Sequence, residues 1–121
     1  MVRRGEVHLV DLDPTRGREQ RGRRPVLVVS ADAINRQPLV VTIVVGTSAA
    51  HVARDYPVNV RVPATESGLE RDTVFLCFQP RSLDHGRVTT PEGTPRPPVG
   101  QLGPDRMAEV DRAIRLALAL G

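Results

Sequence analysis

Residues 5–30 read GEVHLVDLDPTRGREQRGRRPVLVVS, and the way two apolar runs bracket the charge between them decides the fold. The first run, residues 6–12 (EVHLVDL), is short and rich in Val and Leu. It closes at Asp13-Pro14, a dipeptide that starts turns, so it predicts a strand. The second, residues 26–30, is a continuous apolar run behind Pro25 and predicts another. Between them stand Arg16, Arg18, Arg21, Arg23 and Arg24, with Glu19 the lone acid among them. So dense a cationic loop tethered by two strands is either a solvated charged hairpin or a binding loop held by the core.

Outward from this pair the chain continues in short strands. Residues 39–47 (LVVTIVVGT) are apolar almost without interruption and end at Gly46 and Thr47, as in a strand covered on both faces or strongly curled. ADAINRQP between them has room for one helical turn before Pro38. YPVNVRVPA, residues 56–64, alternates Val58, Val60 and Val62 against Asn59 and Arg61, and predicts a half-exposed strand over its length. ERDTVFLCFQP, residues 70–80, predicts a fifth strand. TESGLERD reads as a turn with Gly68 at its tip, and the Pro- and Gly-rich residues 90–104 as a connector. The closing helix has the plainest signal. Pro104 suits a first helical position, Asp105 and Glu109 fall in early turns, and Met107, Val110, Ile114, Ala117 and Leu118 recur at helical spacing as a stripe assigned to the core. Short strands with one terminal helix imply a mainly β chain with α, folded as a small curled antiparallel sheet or barrel.

Composition narrows the function. At 121 residues one domain spans residues 1–121. All 17 basic residues are Arg, against 14 acids, for a net charge of +3. Guanidinium binds phosphate in a fixed fork and does not accept protons at working pH, so the balance favours a polyanionic partner. The single Cys77, inside VFLCFQ, excludes an internal disulfide and reads as a buried structural thiol. No apolar segment approaches the roughly 20 residues of a membrane span, so the expectation is a soluble cytoplasmic protein without membrane partners.

Several chemistries drop out. Gly17 and Gly22 frame four residues, but Arg23 and Arg24 follow where a nucleotide-binding P-loop needs Lys and Ser or Thr, and a strand follows where it needs a helix. The RGR repeats are too short, and tethered at both ends, for a disordered arginine-glycine RNA segment. His8, His51 and His85 read as isolated surface or strand residues, which implies no metal and no cofactor. Ser82 to His85 carries the residue types of a hydrolase triad, but neighbours in sequence cannot take up its geometry.

The stretch GEVHLVDLDPTRGREQRGRRPVLVVS resembles the opening of the MazF/PemK (Kid) family of toxin endoribonucleases. The family pattern is a G-[DE]-[VI] strand, a D-x-P turn, G-x-E-Q-x-G-x-R-P, and an apolar strand ending near Ser. The likeness continues through VVGTSAA, LERDTVFL and QPRSLD into the closing helix. It implies an SH3-like β-barrel of the CcdB/Kid/MazF type that forms a homodimer. Such a protein cuts single-stranded RNA at short sequences without a metal, and a cognate antitoxin neutralises it by laying a disordered acidic tail in the RNA groove.

Matched position by position, the family's catalytic Arg falls on Arg24, the neighbouring Glu on Glu19 and the catalytic Thr on Thr47. Ser48 borders the substrate in the same likeness. Arg18, Gln20, Arg21, Arg23, Gln79 and Arg81 are the expected RNA contacts, with His85 a minor one. Arg18 and Phe78 stand where relatives can carry a His and an acid, which leaves the acid for the leaving group unassigned.

The chemistry agrees with this assignment. Cleavage through the RNA 2'-hydroxyl needs an acceptor for its proton and donors for the phosphorane charge. Glu19, held ionised by the surrounding arginines, suits the first task. Arg24 and the Thr47 hydroxyl suit the second. Two other readings compete. A gyrase poison like CcdB lacks support from the Glu19-Gln20 and Arg24-Pro25 match, and this chain has no Trp. A non-catalytic SH3-like RNA-binding barrel would need more aromatic side chains than the two Phe and one Tyr present.

Overall fold

The computed structural model describes residues 1–12, 23–37 and 39–121. The strands are β1 (Glu6–Val10), β2 (Arg24–Val28), β3 (Val40–Ser48), β4 (Val60–Val62), β5 (Thr73–Phe75), β6 (Arg81–Asp84) and β7 (Gly100–Gln101). The α-helices are α1 (Asp32–Asn35), α2 (Ala64–Ser67) and α3 (Pro104–Ala117). One antiparallel sheet runs in the order β4-β5-β3-β2-β1-β7, and β6 also pairs with β3. This is the curled sheet with a terminal helix that the apolar runs predict.

β3 holds the sheet together by changing partners. Residues 40–43 pair with β6, residues 43–45 with β2 on the other side, and residues 46–48 with β5. Gly46 makes the change possible. A Cβ there would meet the Thr73 methyl at 2.6 Å and the Phe75 ring at 3.0 Å, so only glycine lets Phe75 close on the strand.

The sheet carries two apolar clusters, as the continuous Val, Ile and Leu runs demand. Val7, Leu27, Val44, Val60, Val62 and Phe75 face α3 and pack with its Met107, Val110 and Ala113. Val10, Val26, Val28, Val41 and Ile43 face the other way and pack with Val2, Leu83 and Val88. α3 starts as its sequence predicts, with Pro104 in the first turn after Gly103. Of its stripe, Met107 and Val110 are buried, Ile114 packs on the cluster and Ala117 is half-buried, whereas Leu118, at the C-cap, is exposed.

Two further departures are local. Only Val60–Val62 of residues 56–64 joins the sheet, because the Asn59 N–H is taken by the Tyr56 carbonyl in a turn. Residues 76–80 leave β5, so the fifth strand is shorter than its sequence predicts, and Arg81–Asp84 returns as a separate strand that sequence analysis assigns to no element. The turn at Gly68 is present with φ +79, and the short α2 precedes it.

α2 is tied to α3 by charge. The Arg106 guanidinium donates to both carboxylate oxygens of Glu66, at 2.9 and 2.7 Å, and to Glu109 at 2.9 Å. The hydrogen bond from Arg106, reinforced by its charge, holds the Glu66 carboxyl below its ordinary range. A depressed carboxylate stabilises the fold above its unfolded-state pKa and loses that contribution as pH falls through its folded-state pKa. Glu66→Gln is therefore expected to melt at a lower temperature than the parent protein near pH 7. The difference should close as the pH falls below the ordinary Glu range, and thermal melts at both pH values check it. Because the pair is exposed, the effect is small.

Candidate active site

β2 and β3 bring together two of the residues selected by chemistry. Val26 stands opposite Val45, Leu27 opposite Val44 and Val28 opposite Ile43. Carried back two residues, this register sets Arg24 across from Thr47. The ladder itself stops at Val26, next to Pro25, which has no N–H to continue it, and opposite the point where β3 turns away at Gly46. The two strands thus stop pairing two residues short of Arg24 and Thr47, which are both half-buried.

The faces agree. Arg24 pairs with Val10 of β1, and side chains directly opposite in an antiparallel pair share a face. Val10, Val26 and Val45 all belong to the second cluster, so Arg24 extends that face. Thr47 continues the alternation Val41, Ile43, Val45 on the same side of β3. Arg81 lies opposite Ile43 on β6, exposed, and joins this face from the other edge of β3. Gln79 is exposed in the turn that precedes β6, where its N–H donates to the Leu76 carbonyl at 3.1 Å.

Thr47 also begins a row that crosses the second part of the sheet, opposite Val74 of β5, which is in turn opposite Arg61 of β4. The Arg61 guanidinium donates to Asp55 at 2.8 Å and to the Val52 carbonyl at 3.2 Å, which ties residues 52–55 to this row. The clean alternation around Arg61 was the available signal for it. Ser48 accepts from the Ala50 N–H at 3.3 Å and caps the 3-10 turn Ala49–His51. Arg23 is exposed at the foot of the cationic loop. Glu19, Arg18, Gln20 and Arg21, with Asp13-Pro14, Gly17 and Gly22, lie outside the described residues.

The histidines separate. His51 is exposed, and His85 is half-buried in the 3-10 turn His85–Arg87. His8 is a strand residue, as expected, but it is not isolated: it is 3% exposed on β1, and its Nε2 lies 2.8 Å from Glu6 Oε1. The signal was present in the spacing, since residues two apart on a strand share a face. Each satisfies the other where an unpartnered polar group would be costly. Among the described residues no group of three His, Cys, Asp or Glu side chains comes together as metal ligands would. Cys77 is fully buried, and burial pushes its thiol up to about 12, so it stays protonated and is no nucleophile. Among the described residues no helix is long and apolar enough to cross a membrane.

This arrangement can hold a phosphate. Arg24 and Thr47 fall on one face of adjacent strands, just beyond their last paired residues, with Arg81 on the same face, so a guanidinium fork and a hydroxyl are available there to a phosphate.

Residues 3–118 match the model of the PemK-like, MazF-like toxins of type II toxin-antitoxin systems. Endoribonuclease MazF9 of Mycobacterium tuberculosis is 37% identical over 125 residues, covering 99% of this chain and 98% of the relative. Endoribonuclease EndoA of Bacillus subtilis is 36% identical over 120 residues, covering 99% and 97%. Among solved structures, the MazE-MazF complex (Form-III) of Deinococcus radiodurans superposes with a TM-score of 0.73 at 26% identity, covering 99% of this chain and 98% of that one.

Proposed function

Because this chain belongs to the PemK-like, MazF-like toxin family of type II toxin-antitoxin systems, we propose that it is an endoribonuclease toxin whose reaction centres on Arg24 and Thr47. What supports this reading is that the strand register puts Arg24 and Thr47 on one face, just beyond the point where β2 and β3 cease to pair. The substrate is single-stranded RNA, cut at short sequences in the cytoplasm. A cognate antitoxin neutralises the toxin by laying an acidic tail along this cationic face; one structural relative is a MazE-MazF complex. The active species is a homodimer.

In the proposed reaction the RNA 2'-oxygen attacks the adjacent phosphorus as Glu19 takes the 2'-hydroxyl proton. Charge accumulates on the non-bridging oxygens, and the Arg24 fork and the Thr47 hydroxyl hold it. The bond from phosphorus to the 5'-oxygen then breaks, leaving a 2',3'-cyclic phosphate on one fragment and, once protonated, a 5'-hydroxyl on the other. The internal nucleophile makes a metal-activated water unnecessary.

The decisive experiment incubates the protein with a long unstructured RNA in excess EDTA and maps the ends. Discrete cuts with cyclic phosphate and 5'-hydroxyl termini are the expected result. Binding without cuts would leave an RNA-binding module, and gyrase trapping without either would leave a gyrase poison. Cuts that require added divalent cation would overturn the metal-free mechanism alone.

A further inference from the structure

Phe78 is an aromatic ring that the fold does not use. The chain has only two Phe, one Tyr and no Trp. Phe75 is fully buried against Gly46, whereas Phe78 is 43% exposed and belongs to neither apolar cluster. Its neighbour Cys77 fills the inward position of this turn, which leaves Phe78 outside.

The turn is fixed to the site. The Leu76 N–H donates to the Val45 carbonyl at 2.9 Å, two residues before Thr47 on β3. The Cys77 N–H donates to the Phe75 carbonyl, and the Gln79 N–H to the Leu76 carbonyl, each at 3.1 Å, so the ring stands on a hydrogen-bonded base. Its neighbours along the chain, Gln79 and Arg81, are exposed and polar or cationic. A protein partner docks on a contiguous apolar patch, and this ring has no such patch beside it along the chain. A nucleobase needs one flat face, with cations nearby for the phosphates on either side.

We propose that Phe78 is the stacking platform for an unpaired nucleobase next to the phosphate held by Arg24 and Thr47, and so helps to choose where the RNA is cut. This rests on the endoribonuclease reading. It gives a role to the position where an acid is absent: the side chain there holds a base and moves no proton.

The test uses the full chain with Phe78→Ala and Phe78→Trp, and two probes. One is a long unstructured transcript. The other is a random-sequence single-stranded RNA carrying 2'-O-methyl groups, which blocks the attacking oxygen so that binding is read without cleavage. Phe78→Ala is expected to keep the parent's melting temperature and its kcat at saturating RNA. Its binding to the methylated probe should weaken about 5- to 150-fold, with KM rising in parallel and base preference relaxing at one position beside the cut. Phe78→Trp should restore binding. As the only Trp in the chain, its emission should change when the methylated RNA is added.

Unchanged binding by Phe78→Ala, or bound RNA that leaves the Phe78→Trp emission unaltered, would overturn the proposal. So would Phe78→Ala that binds RNA normally but loses its antitoxin, since the ring would then be a protein contact. If the parent protein itself neither binds nor cuts RNA, the functional reading fails first and takes this one with it.

Discussion

Arg24→Ala is expected to lower the rate of RNA cleavage by about 10²- to 10³-fold, the usual cost of removing one well-placed donor to a developing oxyanion. The strand should survive the change. Arg24 is the first residue of β2, its pairing with Val10 belongs to the backbone, and Val26, Leu27 and Val28 behind it remain fully buried. The loss should therefore appear in kcat as well as in kcat/KM, because the guanidinium is asked to hold charge that exists only in the transition state. Arg24→Lys keeps the charge but loses the fork, and should fall between the two. Single-turnover cleavage of a labelled RNA, with circular dichroism as the check on folding, measures all three. An Arg24→Ala protein that cuts as fast as the parent would remove Arg24 from the reaction, and with it the meaning given to its position opposite Thr47.

Phe75→Ala is expected to cost about 3 to 5 kcal/mol of folding stability and to lower Tm by about 10 to 25 °C. Its ring is wholly buried in the cluster under α3 and lies against Gly46, where no other residue has room to replace it. Removing it leaves a cavity at the place where β3 passes from β2 to β5. Urea unfolding should show a lower midpoint with little change in slope, which marks lost stability without a change of fold. A cost below about 1 kcal/mol would mean that the neighbouring valines collapse into the gap and that the change of partners does not depend on the ring. Since Gly46 directly precedes Thr47, cleavage measured well below the melting temperature should also fall.

These two residues mark different limits of what sequence reveals. β1, β2, β3, the turn at Asp32–Asn35 and the start of α3 are legible because their signals are local: apolar runs, Pro104 at the helix start and Gly46 at the close of a run. Residues 56–64 mislead because alternation is a property of side chains, whereas strand pairing depends on whether the backbone N–H and C=O groups are free. At Asn59 and Tyr56 a turn has already taken them. Arg81–Asp84 was missed for the converse reason, since three of its four side chains are exposed and only Leu83 reaches the core. The apolar stripe of α3 is correct in period and one residue too long, because the period continues to Leu118 although the helix ends at Ala117 and leaves Leu118 exposed.

The sequence alone determined which chemistry this protein has to hand. An Arg-only basic inventory, one loop that gathers it around Glu19, a glycine where a strand must bend and a Thr just beyond it are composition and order, and folding adds nothing to them. The tertiary structure decided which of these groups meet. Arg24 and Thr47 are 23 residues apart, and only the pairing of Val26 with Val45, two steps behind them, sets one across from the other. It also decided that His8 is buried against Glu6 while Phe78 is left outside. The physical reason is that identity and local pattern belong to each residue and its near neighbours. Face, register and exposure are fixed only when strands distant in the chain pair, and a shift of one residue in that pairing would send every side chain to the other face.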